Sequence, residues 1–136
     1  MQRYTIETTY HLPVYRQRTY EAESLAEACR RAVEDDDWDG DTQDHETAGE
    51  TYVSGIWSGA DSAYEGEALP IPSHFKETIQ RKADHFGELM LCLDDVAQPG
   101  GISRDEFERW LPKARAAVVK AKTILEGRRD PDDAPD

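Results

Sequence analysis

The chain has 136 residues, of which 38% are hydrophobic and 33% charged, and its formal net charge at pH 7 is −13. This length suits a small α+β protein with a helical appendage, and the apolar content excludes a wholly disordered acidic chain. No apolar run approaches the roughly 18 residues that a membrane span requires, and no signal sequence is apparent, so we expect a cytoplasmic protein without membrane contact.

Two strands and a helix are predicted in the first part of the chain. Side chains alternate over residues 3 to 10, and a second β-rich run covers residues 14 to 20, so we expect a β-hairpin. Ser24 and Glu27 form a capping-box pattern, which predicts the start of a helix. We expect its apolar residues to be buried: Leu25, Cys29, Ala32 and Val33. The acidic run at residues 35 to 37 ends the helix, because carboxylates there oppose its dipole.

Two further strands and a linker follow. A third strand is predicted at residues 51 to 57 and a weaker fourth one at residues 63 to 69. Pro70 and Pro72 force an extended connection, because proline disfavours helical backbone at the residue before it. The predicted division is therefore an acidic α+β unit at residues 1 to 69 and a proline linker at residues 70 to 72.

A helical hairpin is predicted for residues 73 to 126. Apolar residues at helical spacings place one face on a helix over about residues 73 to 97: Phe75, Ile79, Phe86, Leu89, Met90, Leu93 and Val96. A second capping box at Ser103 and Glu106 starts another helix, which Pro112 should kink or split. Its facing stripe contains Phe107, Trp110, Leu111, Ala114, Val118, Ala121 and Leu125. Residues 127 to 136 are expected to form a disordered tail.

The predicted fold class is α+β, with an amino-terminal antiparallel ββαβ(β) unit followed by a carboxyl-terminal antiparallel helical hairpin. The two cysteines, Cys29 and Cys92, are too few for a disulfide framework or a cysteine-ligated zinc site, and we expect both to be buried and reduced. The four histidines lack metal-ligand spacing, and no nucleophile motif or Gly-rich phosphate loop occurs. We therefore expect no enzymatic activity and no cofactor.

Acidic residues are concentrated in one segment. Residues 32 to 75 contain twelve carboxylates and no lysine or arginine, so they carry nearly all of the net charge. Such a field is neutralised by a cation, by a basic protein surface or by solvent and salt, and each outcome implies a different function. The residues expected to contact a partner are Glu34, Asp35, Asp36, Asp37, Trp38, Asp39, Asp41, Asp44, Glu46, Glu50, Asp61, Glu65 and Glu67.

The densest part of this segment matches the calcium loop of an EF-hand. The matching ligand positions are Asp35, Asp37, Asp39, Asp41 and Glu46. Gly40 stands at the turn, and a predicted helix precedes the loop, as the motif requires. However, a β-type run follows the loop where the motif needs a second helix, and Thr42 replaces the usual aliphatic residue. Calcium binding through these carboxylates is therefore an alternative interpretation.

The first 57 residues resemble a family of small plasmid and phage proteins. Residues 4 to 7 (Tyr-Thr-Ile-Glu), and residues 19 to 28 with Ala22-Glu23-Ser24 before an alanine-rich helix, are similar to DpnD/PcfM-type proteins. The resemblance implies a mobile-element setting, in which small acidic anti-CRISPR and antirestriction proteins are frequent. The likeness to those inhibitors rests on charge character alone, and the resemblance assigns no functional residue.

The favoured interpretation is a non-enzymatic protein that inhibits or sequesters a basic nucleic-acid-binding protein or complex by mimicking nucleic acid. Duplex DNA presents one negative charge per about 1.7 Å of its axis, and a folded acidic segment offers a comparable field. Direct binding of nucleic acid is disfavoured, because acids accompany the basic residues of both carboxyl-terminal helices. Besides the calcium site, a mobile-element accessory protein with an inert acidic surface also fits the sequence. The carboxyl-terminal helices are a candidate homodimer contact.

Overall fold

The computed structural model describes residues 1 to 133 and has an α+β fold. In chain order its elements are β1 (Tyr4–Thr9), β2 (Val14–Tyr15), α1 (Leu25–Glu34), β3 (Thr42–Gln43), β4 (Tyr52–Ser58), a 3-10 helix (Ser73–Phe75), α2 (Thr78–Val96) and α3 (Arg104–Leu125). The predicted fold class is confirmed. Within the described residues, no helix is both long enough and apolar enough to cross a lipid bilayer.

Strand pairing differs from the predicted hairpin. β1 pairs with β4 in an antiparallel sheet, and β2 pairs with β3 in a second antiparallel sheet. The prediction that residues 3 to 10 pair with residues 14 to 20 is therefore wrong. The longer strand β4 pairs with β1 at six positions. Residues 16 to 20 are not available for pairing with β1, because Arg16, Arg18 and Tyr20 bind groups at the end of α1.

The chain divides into two units that follow this pairing. Residues 10 to 50 form one unit, and residues 1 to 9 together with residues 51 onward form the other. This grouping differs from the predicted division at residues 70 to 72, because β1 pairs with β4 rather than with β2. The acid-only segment is thus shared between two units.

The loop that follows β4 packs against one face of the β1–β4 sheet. Trp57 is buried, and its ring lies over Gly55 and against Tyr64, with ring centroids 4.7 Å apart. Tyr64 donates a hydrogen bond to Glu7, and this bond lowers the pKa of the Glu7 carboxyl. Residues 63 to 69, predicted as a fourth strand, form turns and irregular backbone instead. A straight strand there could not place Tyr64 back over the Trp57 ring.

Helices α2 and α3 pack together in antiparallel directions. His85 Nε2 lies 2.7 Å from the Ala117 carbonyl oxygen, and Trp110 Nε1 donates to the Cys92 carbonyl at 2.7 Å. The Ser103 capping box forms as predicted, with Glu106 N–H donating to Ser103 Oγ at 3.1 Å. α3 runs through Pro112 as one helix, so the proline does not split it.

Most of the predicted apolar face of α2 is exposed, although two of its seven residues, Leu89 and Val96, are half-buried on the same side as His85. Ile79, Phe86 and Leu93 are strongly exposed, whereas Arg81 and His85 are buried. Polar contacts therefore help to set the orientation of α2, and the periodicity of apolar residues does not report them.

The described part of the predicted disordered tail is folded back onto the helices. Arg81 Nη2 donates to Asp130 Oδ1 and to the Arg128 carbonyl, both at 2.6 Å, and Asp130 N–H donates to Ser73 Oγ at 2.7 Å. These bonds give buried Arg81 a charged partner and connect residues 128 to 130 to Ser73 and α2. Residues 134 to 136 of the predicted tail lie outside the described residues.

Helix α1 starts as predicted but does not bury its apolar residues. Glu27 N–H donates to Ser24 Oγ at 3.2 Å, and Glu23 N–H donates to Glu27 Oε2 at 3.3 Å. Leu25 and Val33 are exposed, and so is Cys29, because the two-residue strands β2 and β3 form too small a sheet to cover them. Cys92 is partly buried, and both cysteines are free thiols.

Candidate functional site

The acidic loop, residues 34 to 50, is held by two arginines that follow β2. Arg18 Nη1 lies 3.1 Å from Asp35 Oδ2 and 3.3 Å from Asp37 Oδ2, and Arg18 Nη2 donates to the Asp39 carbonyl at 2.9 Å. Tyr20 donates to Asp35 Oδ2 at 2.7 Å. One arginine therefore binds both the side chains and the backbone of the loop, which fixes the path of the chain beyond α1.

Arg16 binds the carboxyl-terminal end of α1. Its Nη2 donates to the carbonyls of Ala32 at 2.9 Å and Asp35 at 2.5 Å, and its Nη1 donates to the Asp37 carbonyl. A positive charge at this end of a helix satisfies unpaired carbonyl groups and complements the dipole. The guanidinium carbon also lies 3.9 Å from the centre of the Trp38 ring, a cation–π geometry.

Short-range hydrogen bonds fix the loop further. Asp35 Oδ1 accepts from Asp37 N–H, and Asp37 Oδ1 accepts from Asp39 N–H, each at 3.0 Å. Asp44 Oδ1 accepts from Glu46 N–H at 3.0 Å in the same way. Such Asx turns let a short acidic side chain replace a backbone acceptor. Asp35, Asp37 and Asp44 therefore belong to the internal structure of the loop.

These contacts lower the pKa of each structural carboxyl group. The pKa of Asp35 falls to about 2 from its ordinary 3.8, chiefly through the Tyr20 hydrogen bond and then the Asp37 N–H. The Asp39 N–H, followed by Arg18, lowers the pKa of Asp37. The Thr47 hydroxyl lowers the pKa of Asp44. All three groups thus stay charged to a lower pH than an ordinary aspartate does.

Other carboxylates of the same loop face solvent. Those of Asp36, Asp39, Asp41 and Glu46 are exposed, and none of the four makes an ion pair or hydrogen bond with any part of the chain that the structure describes. We call these four residues the presented carboxylates. Glu34 pairs with Arg30 at 3.2 Å on the surface of α1, and Glu50 is exposed at the end of the loop.

The remaining predicted partner residues belong to the other unit. Asp61, Glu65 and Glu67 are exposed in the loop that follows β4. The structure therefore separates the thirteen predicted residues into ten on the 10–50 unit and three on the unit that contains the sheet β1–β4. Trp38, which belongs to the first set, is 47% exposed despite its contact with Arg16.

The predicted calcium ligands do not converge on a common point. Two of the five, Asp35 and Asp37, bind Arg18, and both are also acceptors of backbone N–H groups. Across residues 1 to 133, no group of three or more His, Cys, Asp or Glu side chains is arranged to hold a metal ion. Two of the five carboxylates that match the EF-hand pattern thus act here as partners of an arginine.

An open groove of about 810 Å³ lies beside the acidic loop, within the same unit. Its walls combine apolar side chains from β2 and α1 with the Trp38 ring, and Arg16 and Arg18 also line it. Val14, Tyr15 and Val33 are exposed along the groove. The 10–50 unit therefore offers apolar surface next to the presented carboxylates.

Arg16, Arg18 and Tyr20 organise the site, and the sequence pattern alone did not assign them to it. A signal for them was present, because Arg16 and Arg18 are the only arginine or lysine residues between Arg3 and Arg30. Their two-residue spacing equals that of Asp35 and Asp37, and alternate residues of an extended segment share one face.

Comparisons with protein-family models, curated proteins and solved structures found no match to this chain.

Proposed function

We propose that this chain is a non-enzymatic acidic binding protein that inhibits or sequesters a basic nucleic-acid-binding protein. The observation that supports this function is that the acidic loop contains two groups of carboxylates, one that fixes its backbone and one that faces solvent. Three carboxylates and two arginines fix the backbone, and the four presented carboxylates stand on it without a partner among the described residues. A loop of this kind holds the backbone positions of its charged residues in a fixed pattern before binding.

Preorganised charge favours binding over mere solubility. A solubilising surface gains nothing from a fixed arrangement of its charges, whereas a binding surface loses less conformational entropy when the backbone that carries the charges is already in place. Fixed carboxylates also steer a basic partner toward the loop and speed its association at low salt. A protein built to hold DNA or RNA phosphates offers the complementary Lys and Arg side chains.

The groove beside the loop adds a feature that interfaces commonly use. Exposed Trp38 and Tyr15 line it, and aromatic residues are enriched among the side chains that contribute most to binding. A cleft that binds nucleic acid often interleaves basic residues with apolar or aromatic ones. The 10–50 unit matches this chemistry with carboxylates and apolar surface side by side.

The test uses the full chain to capture proteins from a bacterial lysate at low and at moderate salt. The most abundant captured protein is then purified, and its binding to a labelled DNA duplex is measured with and without the chain. We expect a nucleic-acid-binding protein that is released at moderate salt and whose DNA binding the chain inhibits.

Two triple variants with equal charge change test whether the presented carboxylates form the binding surface. Asp36→Asn with Asp39→Asn and Asp41→Asn should weaken capture at least about tenfold and flatten its salt dependence, since three presented charges are removed. The control, Asp61→Asn with Glu65→Gln and Glu67→Gln, changes the net charge equally on the other unit and should bind nearly as the parent does. Equal capture by both variants and the parent, or no inhibition of DNA binding, contradicts the proposal.

A further inference from the structure

Helix α2 carries an exposed apolar face, which we call the α2 stripe: Ile79, Ala83, Phe86, Met90 and Leu93. The exposed fractions of its large side chains are 74% for Ile79, 70% for Phe86, 48% for Met90 and 67% for Leu93. Large contiguous apolar patches are uncommon on monomeric proteins and mark interaction surfaces. The stripe is therefore a candidate contact surface.

Helix α3 does not cover this stripe, because it contacts another face of α2. That other face carries Arg81, His85 and Cys92, with Arg81 and His85 buried. The Arg81–Asp130 ion pair and the His85–Ala117 contact fix α2 in this orientation. Rotating α2 to bury the stripe against α3 would expose these polar contacts and break them. The stripe is thus a second face of α2 and not a misplaced core face.

The spacing of the stripe is that of a heptad repeat. Ile79, Phe86 and Leu93 recur every seven residues, and Ala83 and Met90 fall four residues after the first two of them. This alternation of four and three is the pattern by which one helix packs along another with its side chains interlocked. The stripe is therefore suited to a straight helical partner.

We propose that the α2 stripe is a homodimer interface, in which α2 of one chain packs antiparallel against α2 of a second copy. In this arrangement Phe86 of each copy is opposite Met90 of the other, and Leu93 is opposite Ala83. Each layer then pairs a larger side chain with a smaller one, as good packing requires. A parallel arrangement instead places Phe86 against Phe86 and Ala83 against Ala83, which leaves layers of unequal volume.

The charges of α2 favour the same arrangement. Asp94 and Asp95 lie at the carboxyl-terminal end of the helix. Antiparallel packing separates the acidic ends of the two copies, and it also aligns the helix dipoles favourably. Parallel packing sets the two acidic ends side by side, where like charges repel. The charges at the end of α2 thus favour the antiparallel orientation over the parallel one.

The exposed area is sufficient for a real but modest interface. Because large side chains of this kind have surfaces on the order of 200 Å², the stripe exposes roughly 500 Å² per copy. A standard interface buries about 800 Å² per partner, including its polar rim. We therefore expect a reversible dimer rather than an obligate one.

Sedimentation equilibrium of the full chain, from micromolar to near-millimolar concentration, tests the proposal. We expect a monomer–dimer equilibrium, and Phe86→Glu should raise the dissociation constant at least about tenfold. Leu91→Glu is the matched control, because Leu91 is 60% exposed on another face of the same helix. Since Phe86 is exposed in the monomer, its substitution should leave the circular dichroism spectrum unchanged. A monomer at all concentrations, or equal effects of the two variants, overturns the proposal.

A mixture of two variants tests the antiparallel direction. Phe86→Glu and Met90→Lys should each weaken the dimer, but an equimolar mixture should form a heterodimer, because one layer then holds an ion pair and the other keeps its native residues. Native mass spectrometry distinguishes this heterodimer from either homodimer. In a parallel dimer the substituted positions do not face each other, so a mixture without preferential heterodimer overturns the antiparallel arrangement.

Discussion

Arg18 Nη1 lies 3.1 Å from Asp35 Oδ2, so a basic side chain that follows β2 binds the first carboxylate beyond α1. The same guanidinium also contacts Asp37, which means that one positive charge neutralises part of the densest acidic run in the chain. This contact turns a segment that would otherwise repel itself into a defined loop. It also determines which carboxylates remain available to a partner.

We expect Asp35→Asn to reduce the loss of stability in acid. Tyr20, the Asp37 N–H and Arg18 hold the pKa of Asp35 at about 2, against an ordinary value of 3.8. A carboxyl group whose pKa folding lowers stabilises the folded state above its unfolded pKa, and this stabilisation is lost as the pH falls through the folded pKa. The melting temperature of the parent should therefore fall between about pH 4 and pH 2.

Circular dichroism melts across this range compare the variant with the parent. Asp36→Asn is the control, since Asp36 is exposed and has no partner among the described residues. Its melting temperature should follow that of the parent at each pH, whereas the Asp35→Asn curve should be flatter. Parallel curves for the parent and Asp35→Asn would show that the Asp35 contacts do not stabilise the fold.

Millimolar calcium should raise the melting temperature no more than magnesium does. Calcium would need the side-chain oxygens of Asp35 and Asp37, and both already bind Arg18 and backbone N–H groups. Replacing these contacts with an ion requires the arginine to leave its partners, which costs more than the loss of water from a vacant site. A rise specific to calcium that disappears in Asp37→Asn with Glu46→Gln would restore the calcium interpretation.

Local signals predicted the helices well, because their causes lie within a few residues. The Ser24 and Ser103 capping boxes mark the true starts of α1 and α3, and each forms the predicted side-chain bond to the backbone. Strand pairing depends instead on residues far apart in sequence. β1 pairs with β4 although residues 10 to 50 lie between them in the chain. Short-range periodicity contains no information about that choice.

The orientation of α2 shows a second limit of sequence patterns. Apolar spacing predicts that Ile79 and Phe86 face the neighbouring helix, but Arg81 and His85 are buried in their place because distant groups bind them. The site shows the same limit, since the sequence located the acidic loop but not which carboxylates it uses internally. That assignment depends on Arg18, which precedes Asp35 by 17 residues.

Asp130→Ala should destabilise the unit that contains α2 and α3 by about 3 kcal/mol, because it leaves a buried charge without a partner. The Arg81 side chain is 4% exposed, and its Nη2 lies 2.6 Å from Asp130 Oδ1. Urea unfolding monitored by circular dichroism measures the change. Asp132→Ala is the control, since Asp132 makes a more exposed ion pair with Lys120 at 3.0 Å.

The double variant Arg81→Met with Asp130→Ala distinguishes the contribution of the Arg81–Asp130 ion pair to stability from that of the other contacts of residues 128 to 133. Methionine removes the buried charge while it keeps apolar volume, so the double variant should be more stable than Asp130→Ala alone. If both variants unfold at the urea concentration of the parent, residues 128 to 133 do not contribute to stability through Arg81.

Gly55→Ala should destabilise the β1–β4 sheet by about 1 to 3 kcal/mol, because the Trp57 ring occupies the space that a side chain needs. A Cβ atom at Gly55 would lie 2.3 Å from one ring carbon of Trp57 and 2.7 Å from another. Gly87→Ala provides the contrast, since no atom lies within 4 Å of its Cβ position and helical backbone favours alanine by about 0.5 to 1 kcal/mol. Urea unfolding followed by tryptophan fluorescence should show opposite signs for the two variants. A Gly55→Ala variant as stable as the parent would mean that the Trp57 ring moves away without loss, and its position over Gly55 would then contribute nothing to holding the sheet.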